Sequence, residues 1–376
     1  MSLGKSNTMN HTEVLAWSSQ DPHATLVRMH SRPSFPRSVI AVVCMAAAGG
    51  AHAASFDCQA AKTATEKAIC GSPKLSALDE KLAAEYSRAV HALSAAGATR
   101  LKESQRSWLR FATQVCVPRK RASGTENPAD CLATEYAHRI GDLAQAGLRL
   151  GPYVFNRIDA YAAARDPHDD GGQYSGFVWQ HVAFPQIDAP TSPAAVAWNK
   201  AQQKDAPGEV SAPTEADDQA EDDETDYTLG CVGDRFVSVR TDTSEYPHGA
   251  AHGTYDHEVG NAVLAPALRK MAATDVFPSG SAWKTKLPPL FWNAWLKDGN
   301  DPDVPAEVKE AIEASGANPD AWLLTPAGLQ IAFSAYEAGC YACNPGPITV
   351  PWAALKPLQV APELAACKGP PEPVKP

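Results

Sequence analysis

The chain has 376 residues, with 33 Lys+Arg against 43 Asp+Glu and a formal net charge of −10 at pH 7. That length allows two domains at ordinary domain sizes, and the acidic balance speaks against a nucleic-acid partner held by bulk positive charge. The charge is unevenly placed. Residues 54–150 carry 14 basic against 10 acidic side chains, and residues 151–376 carry 15 against 31. The halves are therefore expected to meet different surfaces, or each other.

The first segment, 1–53, reads as a signal region. Arg32 and Arg37 precede a short apolar run that ends in Ala-His-Ala at Ala53, the form of a secretory leader and its cleavage site. Met29 also fits a start, which would leave 1–28 outside the protein. No transmembrane span is expected in the mature chain, because the apolar run is too short to cross a bilayer. Eight cysteines remain after cleavage, and an even count in an exported chain reads as disulfides.

Residues 54–150 read as a small helical module. Thr63 and Glu66 have the spacing of a capping box, and a short helix through Cys70 follows. Ser72 and Pro73 suit the cap and first position of a second helix. Its stripe is Leu75, Leu78, Leu82, Tyr86, Val90 and Leu93, with Gly97 as the expected stop. A third helix carries Leu101, Trp108 and Leu109. A fourth carries Leu132, Tyr136, Ile140 and Leu143 and stops at Gly147, after a loop over 119–130. So small a module buries little core, which local bridges offset. The four cysteines allow three connectivities, and the nearest in sequence joins Cys58 to Cys70 and Cys116 to Cys131.

These residues carry a resemblance. Cys58, Glu66, Ile69, Cys70, Leu75, Leu78, Asp79, Leu82 and Tyr86 are similar to the first half of the LprI lysozyme-inhibitor N-terminal family. Gln105, Trp108, Leu109, Cys116, Cys131, Leu132, Tyr136 and Arg139 are similar to the rest, so the likeness covers about 55–147. It implies an exported helical domain, with binding and inhibition of lysozyme in the namesake.

Residues 151–203 supply strand-like runs at 153–163 and 176–187. Residues 204–226 hold ten acids and one lysine with no apolar period, and are expected to be an acidic linker that separates two cores. In 227–367 a strand is expected at 234–242, and helices around 262–273, 291–297 and 305–316. Leu329, Ile331 and Phe333 alternate, and Ile348 and Val350 repeat the pattern. Strands and helices segregate, so the expected fold is α+β: a disulfide-tied helical module, then a mixed sheet domain with a few helices. Residues 368–376 are expected to be a disordered tail.

The stretch 247–258 contains His248, His252 and His257. Their spacing would suit zinc only on a helix, and the glycines and proline argue for a tight turn instead, so no metal is assigned. Cys340 and Cys343 could be a redox pair, but Asn344, Pro345 and Gly346 deny the helix that such pairs use. A structural bridge is expected, within the pair or to Cys231 and Cys367. No specific catalytic constellation or phosphate-cradling loop occurs, and neither enzymatic activity nor a cofactor is expected.

Tyr246 with the Gly249–Gly253 run, Asp275, Phe277, and the string from Leu324 to Pro351 resemble the C-terminal domain shared by the RsiV anti-sigma factor and the PdaC deacetylase. That likeness spans about 230–358 and implies a mixed sheet. Both resemblances belong to families with a member that binds lysozyme. The expected function is therefore an exported periplasmic or secreted protein that binds a cationic, lysozyme-type muramidase and blocks it sterically. Tyr246, His248, His252 and Gly253 are the candidate contact residues. The alternative is an envelope module that binds peptidoglycan or a membrane protein, or senses stress, without inhibition.

Overall fold

The computed structural model describes residues 54–117, 127–166, 176–203 and 220–370. The expected signal region, residues 119–126 of the expected loop, residues 204–219 of the expected linker and 371–376 of the expected tail lie outside the described residues. Local signals fix the first helices. Thr63 Oγ1 accepts from the Glu66 N–H while the Glu66 carboxylate accepts from the N–H groups of Lys62 and Thr63, closing the capping box of α1 (Ala64–Gly71). Ser72 caps α2 (Pro73–Ala92), with Pro73 in its first turn.

Gly97 was expected to end α2, and it does not. It sits in the first turn of α3 (Ala95–Cys116), which Ser94 caps. Asp188, just beyond the third strand, accepts from the Ser94 backbone and hydroxyl at 2.6 and 2.7 Å, and a Cβ at Gly97 would collide with that carboxylate. The glycine therefore serves close approach between helix and sheet. In α3, Leu101, Trp108 and Phe111 are buried, whereas Leu109 is 42% exposed because it lies off their stripe. α4 (Pro128–Gln145) buries Leu132, Tyr136 and Leu143, and Tyr136 meets Trp108 edge-on at 5.0 Å. Burying each such large side chain stabilises by about 1.5–3 kcal/mol. Bridges join Cys58 to Cys70 and Cys116 to Cys131, tying the ends of these helices.

The larger sheet has seven strands in chain order: β1 (Leu148–Leu150), β2 (Tyr153–Arg165), β3 (Phe177–Ile187), β4 (Glu221–Val232), β5 (Phe236–Pro247), β6 (Thr254–Val263) and β7 (Arg269–Lys270). Neighbours are antiparallel except β3 and β4, which run parallel after a crossover that includes α5 (Pro193–Gln203). The expected linker is thus corrected at its end. Glu221–Asp226 form the first half of β4, paired residue by residue with β5. The expected helix at 262–273 is also corrected: Val263 pairs with both Phe236 and Arg269, and only α6 (Ala273–Val276) is helical there.

α7 (Trp283–Lys297) and α8 (Ala306–Ala317) then pack beside a three-stranded antiparallel sheet of β8 (Leu323–Leu324), β9 (Gly328–Ile331) and β10 (Ile348–Pro351). The alternation places Leu329, Ile331, Ile348 and Val350 in a core with Phe291, Ile312 and Trp322. Cys231 is bridged to Cys367 and Cys340 to Cys343. Lys368, expected in a disordered tail, pairs with Val232.

The architecture is α+β, helical module first and sheet second. The two cores are not separated, however. Phe111 of α3 meets Tyr161 of β2 at 5.3 Å and Trp179 of β3 at 6.1 Å, and the described residues all belong to one compact unit.

Candidate functional site

Where module meets sheet, the contact is a buried charge network. Asp159 on β2 accepts from Arg139 Nη1 of α4 at 2.6 Å and from Arg157 Nε at 2.8 Å. Arg139 also donates to Gln105 and Ser104 of α3, and Arg157 reaches Asp142 at 3.1 Å and Asp226 at 2.7 Å. His181 of β3 lies between Asp159 at 3.2 Å and Glu224 at 3.3 Å. Burial opposes the charge on Asp159, but Arg157 and Arg139 outweigh it and hold the carboxyl well below its usual range. Burial likewise opposes a charged His181, yet its bonds to Asp159 and Glu224 raise it to about 9. Asp142, Asp159 and His181 bring three metal-capable atoms within 4.8 Å. Both carboxylates there already hold guanidiniums, so a divalent ion would face two fixed positive charges. The polar residues Gln105 and Arg139 of the LprI-like pattern are thus spent on docking the module to the sheet.

The same sheet face continues past this junction into an open cleft of about 370 Å³, bounded on the far side by Ala332 and Phe333, just after β9, and by Asn344, Gly346 and Pro347, just after the Cys340–Cys343 bridge. Glu224 and Asp226 of β4, Asp242 of β5 and Tyr255 and His257 of β6 form one wall; Phe333 and Asn344 form the other. Asp226 and Asp242 are directly opposed across β4 and β5. Such a like-charge pair is unfavourable, and here it is neutralised: Arg157 holds Asp226, and Arg240 and His257 hold Asp242 at 2.7 and 2.5 Å.

The predicted contact residues occupy the turn from β5 to β6, but they do not converge on one point. Tyr246 Oη donates to the Ala250 carbonyl at 3.2 Å. His248 points inward, 2.9 Å from Asp166 and 3.3 Å from Asp222. His252 points outward, stacked on Tyr341 at 4.0 Å and 3.2 Å from the Tyr336 hydroxyl. Gly249 takes positive φ (+86°), whereas Gly253 is needed because a Cβ would sit 2.5 Å from the Glu245 carbonyl. Tyr341 belongs to the loop closed by the Cys340–Cys343 bridge, so turn and loop meet through their rings and Tyr255 links them to the cleft. Tyr336 is 52% exposed, with φ of +64°.

On the opposite face of β4–β6 lie Glu221, Asp223, Glu245 and Glu258, which make no ion pair among the described residues. Asp223 and Glu245 are directly opposed. Partial burial together with Glu221, Glu245 and Asp222 pushes Asp223 up to about 6. One pair of strands thus carries two like-charge pairs, one neutralised and one left bare. Sequence reading missed both, since 221–226 has no apolar period; the signal available was Asp222, Glu224 and Asp226 at the step of two that a strand requires.

Residues 58–143, which span α1 to α4, match the family described as lysozyme inhibitor LprI. No curated protein matches the chain. Among solved structures it is similar to a member of the DUF3298 family from Bacteroides fragilis, at 16% identity and a TM-score of 0.38, over 57% of this chain and 95% of that one. It is also similar to a DUF3298 family protein from Pseudomonas aeruginosa, at 16% identity and a TM-score of 0.36, over 57% of this chain and 96% of that one. Among the described residues no helix is long and apolar enough to cross a membrane.

Proposed function

We propose that this is an exported, periplasmic or secreted protein that binds a lysozyme-type muramidase and blocks it by occupying space over its glycan cleft, without catalysis of its own. The observation that carries the reading is the LprI match over the disulfide-tied helical module. The four bridges suit an oxidising compartment. The bare acidic face of β4–β6 suits a cationic partner, as the RsiV/PdaC-like reading of the second half also would. With Gln105 and Arg139 buried at the junction, partner contact falls to the outward surfaces, and the His252–Tyr336–Tyr341 rim beside the cleft is the best placed.

The test is binding kinetics on immobilised animal-type lysozyme beside a wall-lysis assay, with purified peptidoglycan as the parallel ligand. Binding together with slowed lysis is expected. No binding at roughly tens of micromolar lysozyme, a range where even weak specific complexes register, together with clear binding to peptidoglycan, would replace this reading with an envelope-binding module.

A further inference from the structure

We infer that the cleft between the β4–β6 face and the segment 344–347 is a socket for one basic side chain, a guanidinium before an ammonium, projecting from a protein partner. The inference rests on the reading above that the partner is a cationic protein.

At about 370 Å³ the cleft falls at the small end of ligand pockets, which run from roughly 300 to 1,000 Å³. Its walls are rich in acceptors. Glu224 gives one oxygen to His181, and Asp226 gives one to Arg157 and to the Tyr227 N–H. The second oxygen of each has no partner among the described residues. The His181 bond behind Glu224 holds that carboxyl below its usual value. Two unengaged carboxylate oxygens two residues apart on one strand face suit the forked donors of a guanidinium. Ala332 and the exposed Pro347 offer an apolar surface to the methylene stem, and the Tyr255 ring can face the cation.

The amide donor of the cleft and one His257 ring nitrogen are engaged, and the hydroxyls that remain, such as Ser244 and Tyr255, can accept as well as donate. Asn344 Nδ2 donates to the Tyr255 hydroxyl at 2.6 Å and to the Phe333 carbonyl at 2.9 Å, and His257 Nδ1 is 2.5 Å from Asp242. A wall glycan that carries carboxylates of its own would meet Glu224, Asp226 and Asp242, so this cleft disfavours it. A cation needs acceptors only.

Ser244 and Glu245 are consecutive on β5 and face opposite ways: Ser244 lines the cleft beside Glu224, and Glu245 lies on the bare outer face. Ser244→Arg and Glu245→Gln each add one positive unit, but only the first fills the socket. Measured against animal-type lysozyme, Ser244→Arg should weaken binding about tenfold or more, mainly in the dissociation rate. Glu245→Gln should change it about threefold or less, mainly in association. Thermal melts should show neither variant less stable than the parent, since neither side chain touches the buried network and Glu245→Gln relieves the repulsion with Asp223. Equal losses in both variants would leave steering by net charge and end the socket proposal, with lysozyme binding intact. If the parent protein binds no lysozyme, the function proposed above fails, and an acetylated hexa-arginine peptide tests the socket directly. Peptide binding lost in Ser244→Arg upholds it. Peptide binding unchanged in that variant, or a neutral chitin oligomer bound instead, overturns it.

Discussion

At the scale of residues, Asp159 decides how the two halves hold together. It is 1% exposed at its side chain and offers its oxygens to two buried guanidiniums. A buried ion group adds little over an apolar one, but removing one member leaves charge without compensation. Asp159→Asn should therefore destabilise by about 3–5 kcal/mol in urea denaturation, whereas Glu258→Gln on the open face should change little. The pH dependence has a definite sign. His181 has its folded value raised from 6.5 to about 9, so its contribution is whole below 6.5 and is lost as pH rises through about 9. Asp159 is depressed below 3.8, so its contribution is present above that value and is lost only as pH falls through the lower one. Melting temperature should decline between pH 6.5 and 9, and the decline should flatten in His181→Gln. Asp223 runs opposite to Asp159: with its folded value raised from 3.8 to about 6, ionisation disfavours folding as pH rises across that range. Asp223→Asn should stabilise by about 0.5 kcal/mol at neutral pH, the order of a like-charge pair on a partly exposed strand, and by nothing near pH 3. An equal gain at both pH values would rule out charge repulsion as the cause.

At the scale of elements, what the sequence made legible was local. The capping box at Thr63 and Glu66, Pro73 at a helix start, and the bridges between cysteines 12 and 15 residues apart are all settled within a short run of chain. What it hid was relational. Gly97 looks like a helix stop until Asp188 is seen against it, and Glu221–Asp226 look like solvated linker until β5 pairs with them and Arg157 and His181 supply the missing cations. Arg139 and Asp159 are 20 residues apart and belong to different expected domains. The same relation changes what a broken bridge should do. Cys70→Ser should cost about 2–4 kcal/mol, as loss of a native bridge commonly does. Because α3 and α4 lie on β2 through buried charge and the Phe111–Tyr161 contact, that loss should move one shared transition in calorimetry. A separate early transition, with the sheet melting unchanged, would show that the junction contributes no cooperativity.

At the scale of the molecule, the acid excess of the second half is not spread evenly over its surface. The inward face of β4–β6 balances its carboxylates with Arg157, Arg240 and His181, while on the outward face Glu221, Asp223, Glu245 and Glu258 make no ion pair among the described residues. Exposed charges of one sign act over about a Debye length, roughly 8–10 Å at physiological salt and 30 Å at 0.01 M. They raise the rate at which an oppositely charged protein arrives and add little to how long it stays. Association with a cationic muramidase should therefore slow steeply between low and physiological salt. Replacing Glu221, Asp223 and Glu245 together by Gln, Asn and Gln should flatten that salt dependence and leave the dissociation rate within about twofold. Since Asp223→Asn removes a repulsion, the triple variant should be no less stable than the parent, which separates a steering defect from a folding one. Stopped-flow association across a salt series reads both quantities. A parent whose association is indifferent to salt would mean that the bare face does not steer this partner.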